Sequence, residues 1–204
     1  MTAPRDDLTI VPANQASWGD LERLFDNVKR HGSLCFCQRF KIPDRLWRSI
    51  DSDERAFRLR AQTECDHPES DTTRGLVAYL DGEAVGWCAV EPRVDYPGLR
   101  TTRVVWAGRH EDKNDRRVWA ITCLIVRMGH RRHGITYPLV AAAADYAKAR
   151  GASAIEGYPM NTEAGRDITW GELHVGPHGA FVAAGFEPIT HPTARRTVMR
   201  IDFA

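Results

Sequence analysis

The sequence predicts an α/β fold built on a mixed β-sheet, and three observations predict it. Apolar, β-branched runs alternate along the chain with stripes spaced three and four residues apart, the order in which strands and helices share one sheet. One run, Ile121 to Val126, has almost no polar break, as a strand covered on both faces requires. Gly75 to Val90 reads as two apolar runs joined at Asp81-Gly82, the clearest hairpin in the chain. At 204 residues the chain is long enough for one well-buried domain, and no shift of composition marks a second, so residues 1–204 are read as a single domain.

Taken in order, Asp7 to Ala13 is a short first strand, and Asn14 to Arg30 follows as a helix with Trp18, Leu21, Leu24, Phe25 and Val28 on one stripe and Asn14 or Ser17 as its cap. His31 to Pro43 is a loop with aromatics and bases, whose Phe36 and Phe40, with Trp47, either wall a site or pack a satellite core. A second helix starts at Ser52 or Asp53 and runs through Glu64, with Glu54 in its first turn and Arg55, Arg58 and Arg60 on a solvated face. After the hairpin, Glu91 to Arg117 is irregular and charged, with a turn at Tyr96-Pro97-Gly98 and a solvated tip at Asp112 to Arg117. A loop of this length inside a compact domain is usually functional, and it is read as a substrate-side lid, more mobile without ligand than with it.

The central strand is followed by a helix over Ile135 to Arg150, with Ile135, Leu139, Ala142, Ala143 and Tyr146 on one stripe, Pro138 in the first turn, and Lys148 and Arg150 before a capping Gly151. Ala154 to Pro159 is another strand. Asn161 to Gly179 is a second long connection carrying Glu163, Asp167, Trp170, Glu172, His174 and His178, groups that suit an acceptor pocket. Thr197 to Phe203 closes the sheet.

Charge weighs against one class of function. With 28 basic against 27 acidic residues the chain lacks the global positive field of a nucleic-acid binder, so a nucleic-acid partner is not expected. The N-terminal MTAPRDDLTI has no signal core, and no apolar run approaches a membrane span, so no membrane partner and a cytoplasmic location are expected. Five cysteines in such a chain argue for free thiols rather than a disulfide framework, with Cys88 and Cys123 buried in strands. Cys35, Cys37, Cys65 and His67 could supply four zinc ligands if their loops met, but the spacing is not C-x-x-C and no metal is expected.

Between the central strand and its helix stands Arg127-Met-Gly-His-Arg-Arg-His-Gly134, two glycines and three arginines in a turn that feeds a helix N-terminus. Free amides and the positive end of the helix dipole there suit a phosphate or pyrophosphate. A nucleotide P-loop would need lysine where Ile135 stands, and the three glycines of a dinucleotide fingerprint are missing. Arg131-x-x-Gly134-x-Thr136 after a hydrophobic strand resembles the pyrophosphate signature of the GCN5-related N-acetyltransferase (GNAT) family, Gln/Arg-x-x-Gly-x-Gly/Ala, with Thr136 departing at the last position. Ala154 to Pro159, Phe181 to Phe186 and Thr197 to Phe203 resemble the family's fifth strand, last helix and closing strand, in the order it requires.

The resemblance implies a GNAT-like mixed, twisted, splayed sheet of about seven strands flanked by helices, with the gap between the fourth and fifth strands holding the thioester arm. It implies transfer of an acetyl (acyl) group from acetyl-CoA, as cosubstrate, to a primary amine on a small molecule or peptide, and it allows a homodimer. Backbone groups of Leu124 and Val126 would meet pantetheine and thioester, and the amides of Arg131, Arg132, His133, Gly134, Ile135 and Thr136 the pyrophosphate. The family's usual acid and base positions fall on Phe181 and Ala120, which have no proton to give or take, so Glu156 and Glu91 are the carboxylates expected to serve as base. Those missing groups leave a non-catalytic acyl-CoA sensor open, and the implied fold with the arginine-rich second helix leaves open a toxin-like enzyme acetylating aminoacyl-tRNA.

Overall fold

The computed structural model describes residues 7–26, 35–162 and 170–204, without the side chains of residues 170 and 171. Val28 and the tail of the first helix, the start of the His31 loop, and Glu163 and Asp167 lie outside the described residues. Seven strands form one sheet in the order β1-β2-β3-β4-β5-β7-β6: β1 (Leu8–Pro12), β2 (Leu76–Leu80), β3 (Glu83–Pro92), β4 (Val118–Val126), β5 (Ala154–Gly157), β6 (Glu187–Thr193) and β7 (Arg196–Asp202). All neighbours are antiparallel except β4 and β5, whose parallel pairing needs the crossover supplied by α5 (Thr136–Ala149). This is the mixed α/β sheet that the strand and helix order predicts.

Helix α5 covers one face, where Leu139, Val140, Ala143 and Ala147 pack on Ala78, Val85, Val90 and Ile121. The other face is covered by α1 (Trp18–Asp26) and α2 (Ser52–Thr63), with Leu21, Leu24, Phe25 and Leu59 against Val77, Trp87 and Ile125. Sealing both faces explains why β4 reads as a continuous apolar run. Ser17 caps α1 by accepting from the Asp20 amide at 3.1 Å, and Asp51 caps α2 through the Glu54 amide at 2.9 Å.

Two sequence expectations are corrected and one alternative is narrowed. Strand β6 is an added edge strand: Pro188 and Pro192 hide it from a β reading, yet an edge tolerates proline where it pairs irregularly with β7. Of the two readings of the first loop's aromatics, Phe36 takes the packed one, buried against Phe25 with ring centroids 5.1 Å apart. Part of residues 91–117 forms β3's end, α3 (Pro97–Thr101) and α4 (Arg103–Trp106), and the segment buries Arg93, Tyr96, Leu99, Val105 and Arg109. Helices of five and four residues are too short to leave a periodic signal in a sequence window.

Candidate active site

The turn after β4 is shaped by its glycines. Gly129 and Gly134 take φ of +90° and +80°, which an L side chain rarely adopts, and Arg132 joins them at +63°. The result is a concave turn in which the amides of Arg132, His133, Gly134, Ile135 and Thr136 meet no protein acceptor among the described residues. They face the positive end of α5, the geometry of an anion nest. Arg131 turns back instead, its Nε donating to the Val126 carbonyl at 3.0 Å, so it stiffens the junction of strand and turn. Arg127 and His130 lean toward Glu83, at 3.2 and 4.0 Å.

This turn closes one end of a cleft of about 1700 Å³, above the roughly 300–1,000 Å³ of most small-ligand sites. Leu124, Val126, Tyr137, His174, Gly176 and Pro177 are among its walls. The cleft exists because β4 and β5 stay paired only from Val118↔Ala154 to Ile121↔Gly157, after which β4 continues to Val126 beside β3 alone. The β3 register steps from Ala89↔Cys123 to Val90↔Ile121, leaving Thr122 as the extra residue of a bulge at the fork.

The chain itself spans the fork. The segment after α6 (Trp170–Leu173) crosses it: the Leu124 amide donates to the His174 carbonyl at 2.6 Å, the Met160 amide to Gly176 at 3.0 Å, and the His178 amide to Met160 at 2.9 Å. Both backbone groups assigned from sequence to the coenzyme's arm therefore have protein partners in this state, Leu124 on His174 and the Val126 carbonyl on Arg131. His174 also stacks toward Phe40, centroids 6.5 Å apart, so the first loop meets the cleft.

The two predicted carboxylates are brought together in an unforeseen way. Glu91 pairs with Ala120 across β3 and β4, and Ala120 with Glu156 across β4 and β5, so the three lie in one row on one face of the sheet. Glu156 is fully buried and accepts from Arg93 at 2.8 Å, Arg200 at 3.0 Å, the Tyr158 hydroxyl at 3.0 Å, and both terminal nitrogens of Arg109. A carboxylate whose lone pairs are all taken, mostly by cations, is not placed to collect a proton, which corrects the expectation for Glu156. Arg93 and Arg109 also pack on Trp106, 4.7 and 4.8 Å from its ring, so Glu156 ties residues 91–117 to the sheet. The segment read as a lid is anchored there through those two arginines.

Glu91, also buried, binds the Lys41 ammonium at 2.5 Å and Arg74 at 3.5 Å. Burial and the Glu91 carboxylate push the Tyr96 phenol well above its ordinary value, and burial and Glu156 do the same to Tyr158, so both stay protonated. Phe181, at the expected acid position, is fully buried and packs edge-on against Phe186.

The sequence model of the acetyltransferase (GNAT) family matches residues 39–165, more than half of the chain. The chain belongs to the GNAT acetyltransferase family. Its fold is that of solved members. A protein from Salmonella typhimurium assigned as an acetyltransferase, solved with its cofactor acetyl-CoA, superposes with a TM-score of 0.53 at 15% identity, over 97% of this chain and 94% of that one. A ribosomal-protein-alanine N-acetyltransferase from Brucella melitensis gives 0.52 at 17%, over 96% and 99%. No curated protein matches the chain.

Within this GNAT domain, sequence reasoning missed Lys41, Arg93, Arg109 and Tyr158, which reach their partners only through tertiary contacts. The arginines of α2 form no free basic stripe: Arg55 lies 3.8 Å over the Trp47 ring, Arg58 pairs with Glu54 at 2.7 Å, and Arg60 approaches Asp66 at 3.9 Å. Arg55 is buried, correcting its placement on a solvated face. Among the described residues no group of three or more His, Cys, Asp or Glu side chains could hold a metal, and Cys35, Cys37, Cys65 and His67 do not meet as one. Among them, too, no helix is long and apolar enough to cross a membrane.

Proposed function

We propose that this GNAT protein transfers an acetyl group from acetyl-CoA to a primary amine. The observation that carries the reading is the cleft at the β4–β5 fork, ending on the amide-lined turn of residues 127–136 in a chain of this family. A pyrophosphate fits that turn by charge and by its unengaged amides, and the Salmonella structure with acetyl-CoA supports the choice of ligand. The thioester supplies an activated acyl group whose thiol leaves readily, since a free thiol has a pKa of about 8.5.

The residues of this chain do the rest. The Arg132 to Thr136 amides hold the phosphates, and Arg131 fixes the turn against Val126. Once the His174 carbonyl withdraws, the Leu124 amide is the donor at the fork for the coenzyme's arm or the developing oxyanion. The acceptor must attack as a neutral amine, although an alkylammonium with a pKa of about 10.4 is almost wholly protonated at pH 7. Glu91, beside Ala120 but outside the lining of the cleft, is the carboxylate proposed to take that proton through water, which requires Lys41 and Arg74 to release it first.

Thiol release from acetyl-CoA across a broad panel of amines, corrected for hydrolysis, tests the reading. Amine-dependent release with acetylated product is the expected result. Coenzyme binding with no release for any amine would favour the acyl-CoA sensor, and salt-sensitive tRNA binding with acetylation of aminoacyl-tRNA would favour the toxin-like reading.

A further inference from the structure

A splayed pair of strands leaves an edge. Beyond Ile121, β4 no longer pairs with β5, and its backbone on that side would stand as an unpaired strand edge at the cleft. The strap over residues 174–178 covers it. Among the described residues one backbone hydrogen bond crosses from β4 to the strap, from the Leu124 amide to the His174 carbonyl at 2.6 Å. Two others tie the strap to the chain leaving β5: the Met160 amide donates to the Gly176 carbonyl at 3.0 Å, and the His178 amide to the Met160 carbonyl at 2.9 Å. The strap therefore holds to β4 once and to the β5 side twice, with Gly176 between the two attachments at φ +88°.

The fit against β4 is close. A methyl group at Gly176 would lie 2.6 Å from the Leu124 Cδ1 and 3.0 Å from the Phe181 Cε2, so no space separates strap from strand. On the other side the His174 ring tilts toward Phe40, centroids 6.5 Å apart. Leu173, His174, Gly176 and Pro177 line the same cleft as the turn of residues 127–136, yet the two regions differ in what they offer a ligand. The amides of the turn meet no protein acceptor among the described residues, whereas the Leu124 amide is engaged by the chain itself. One N–H serves one strong acceptor at a time, so the His174 carbonyl and a ligand arm laid along β4 exclude each other.

We propose that residues 174–176 are an internal competitor for the fork, a clasp that the arm of acetyl-CoA must displace and that the nucleotide end of the coenzyme leaves in place. This inference rests on acetyl-CoA as the ligand. Closed, the clasp satisfies the edge of β4 as an added strand would; open, it keeps both bonds to Met160 and yields the Leu124 donor to the arm. The closed form predominates in the free protein, and the coenzyme's apparent Kd exceeds its intrinsic value by the reciprocal of the open fraction. A nucleotide on the turn meets no such penalty, because the bond between Leu124 and His174 stays intact.

ADP and coenzyme A separate the two regions, since ADP carries the adenosine and pyrophosphate without the arm. Calorimetry of each ligand is compared among the full-length wild type, Gly176→Ala and Phe40→Ala, the last removing the ring beside His174 at a residue outside the cleft lining. The added methyl group strains only the closed clasp, so Gly176→Ala should bind coenzyme A about tenfold tighter or more. The Leu124 amide should gain in hydrogen exchange by the same factor, because one open fraction governs both. ADP should bind all three proteins alike, within about twofold. Should Gly176→Ala fail to fold, tighter coenzyme A with unchanged ADP in Phe40→Ala decides. Coenzyme A unchanged or weaker in both variants would overturn the clasp and leave the acetyl-CoA reading standing. An equal change for ADP and coenzyme A would do the same, since it places the effect at the turn. No binding of coenzyme A by any of the three would remove the acetyl-CoA reading and the clasp with it.

Discussion

At Glu156 a carboxylate looks catalytic in sequence and is structural in three dimensions. Its place next to the fork was legible, but its partners Arg93, Arg109 and Arg200 arrive from 63, 47 and 44 residues away, and no spacing rule reaches that far. Replacing it by glutamine leaves buried guanidiniums without their counter-charge, for which a loss of about 3–5 kcal/mol is expected. The urea midpoint should fall accordingly, and an unchanged midpoint would show that the ion cluster is not what holds residues 91–117. Glu91→Gln carries the catalytic prediction. Turnover should drop while coenzyme affinity stays. Wild-type turnover in Glu91→Gln would leave proton removal to water or to an already neutral amine.

Among the elements, the strand, turn and helix from Val118 to Ala149 were readable because local signals agree: an unbroken apolar run, glycines where φ is positive, and a helical stripe. The strap over the fork was not, since His174 and Gly176 meet Leu124 and Met160 only by way of the whole sheet. Gly176 has φ +88°, and a Cβ there would sit 2.6 Å from the Leu124 Cδ1. Gly176→Ala should therefore lift the strap, and the Leu124 amide should exchange with solvent at least tenfold faster, as read by hydrogen exchange. Equal exchange would mean that the strap tolerates the methyl group and is held elsewhere. The ion pairs of Glu156 also predict that the amides of α3 and α4 are protected without any ligand; rapid exchange there would restore the mobile lid that polarity and length suggest.

Across the whole molecule, alternating strands and helices fixed the class, and the ordered motifs fixed the resemblance that the family match and the shared fold bear out. Composition was silent on the acceptor because balanced charge is a sum, whereas the Glu91–Ala120–Glu156 row is an arrangement. Titration calorimetry of coenzyme A into the wild type and Gly134→Asp tests whether the turn of residues 127–136 holds the coenzyme's pyrophosphate. The variant puts a side chain and a negative charge among the amides of the turn. Expected are binding by the wild type and, in a variant that circular dichroism shows to be folded, a loss well beyond the tenfold that about 1.4 kcal/mol represents. Equal affinity in the folded variant, or no binding by the wild type, would contradict it.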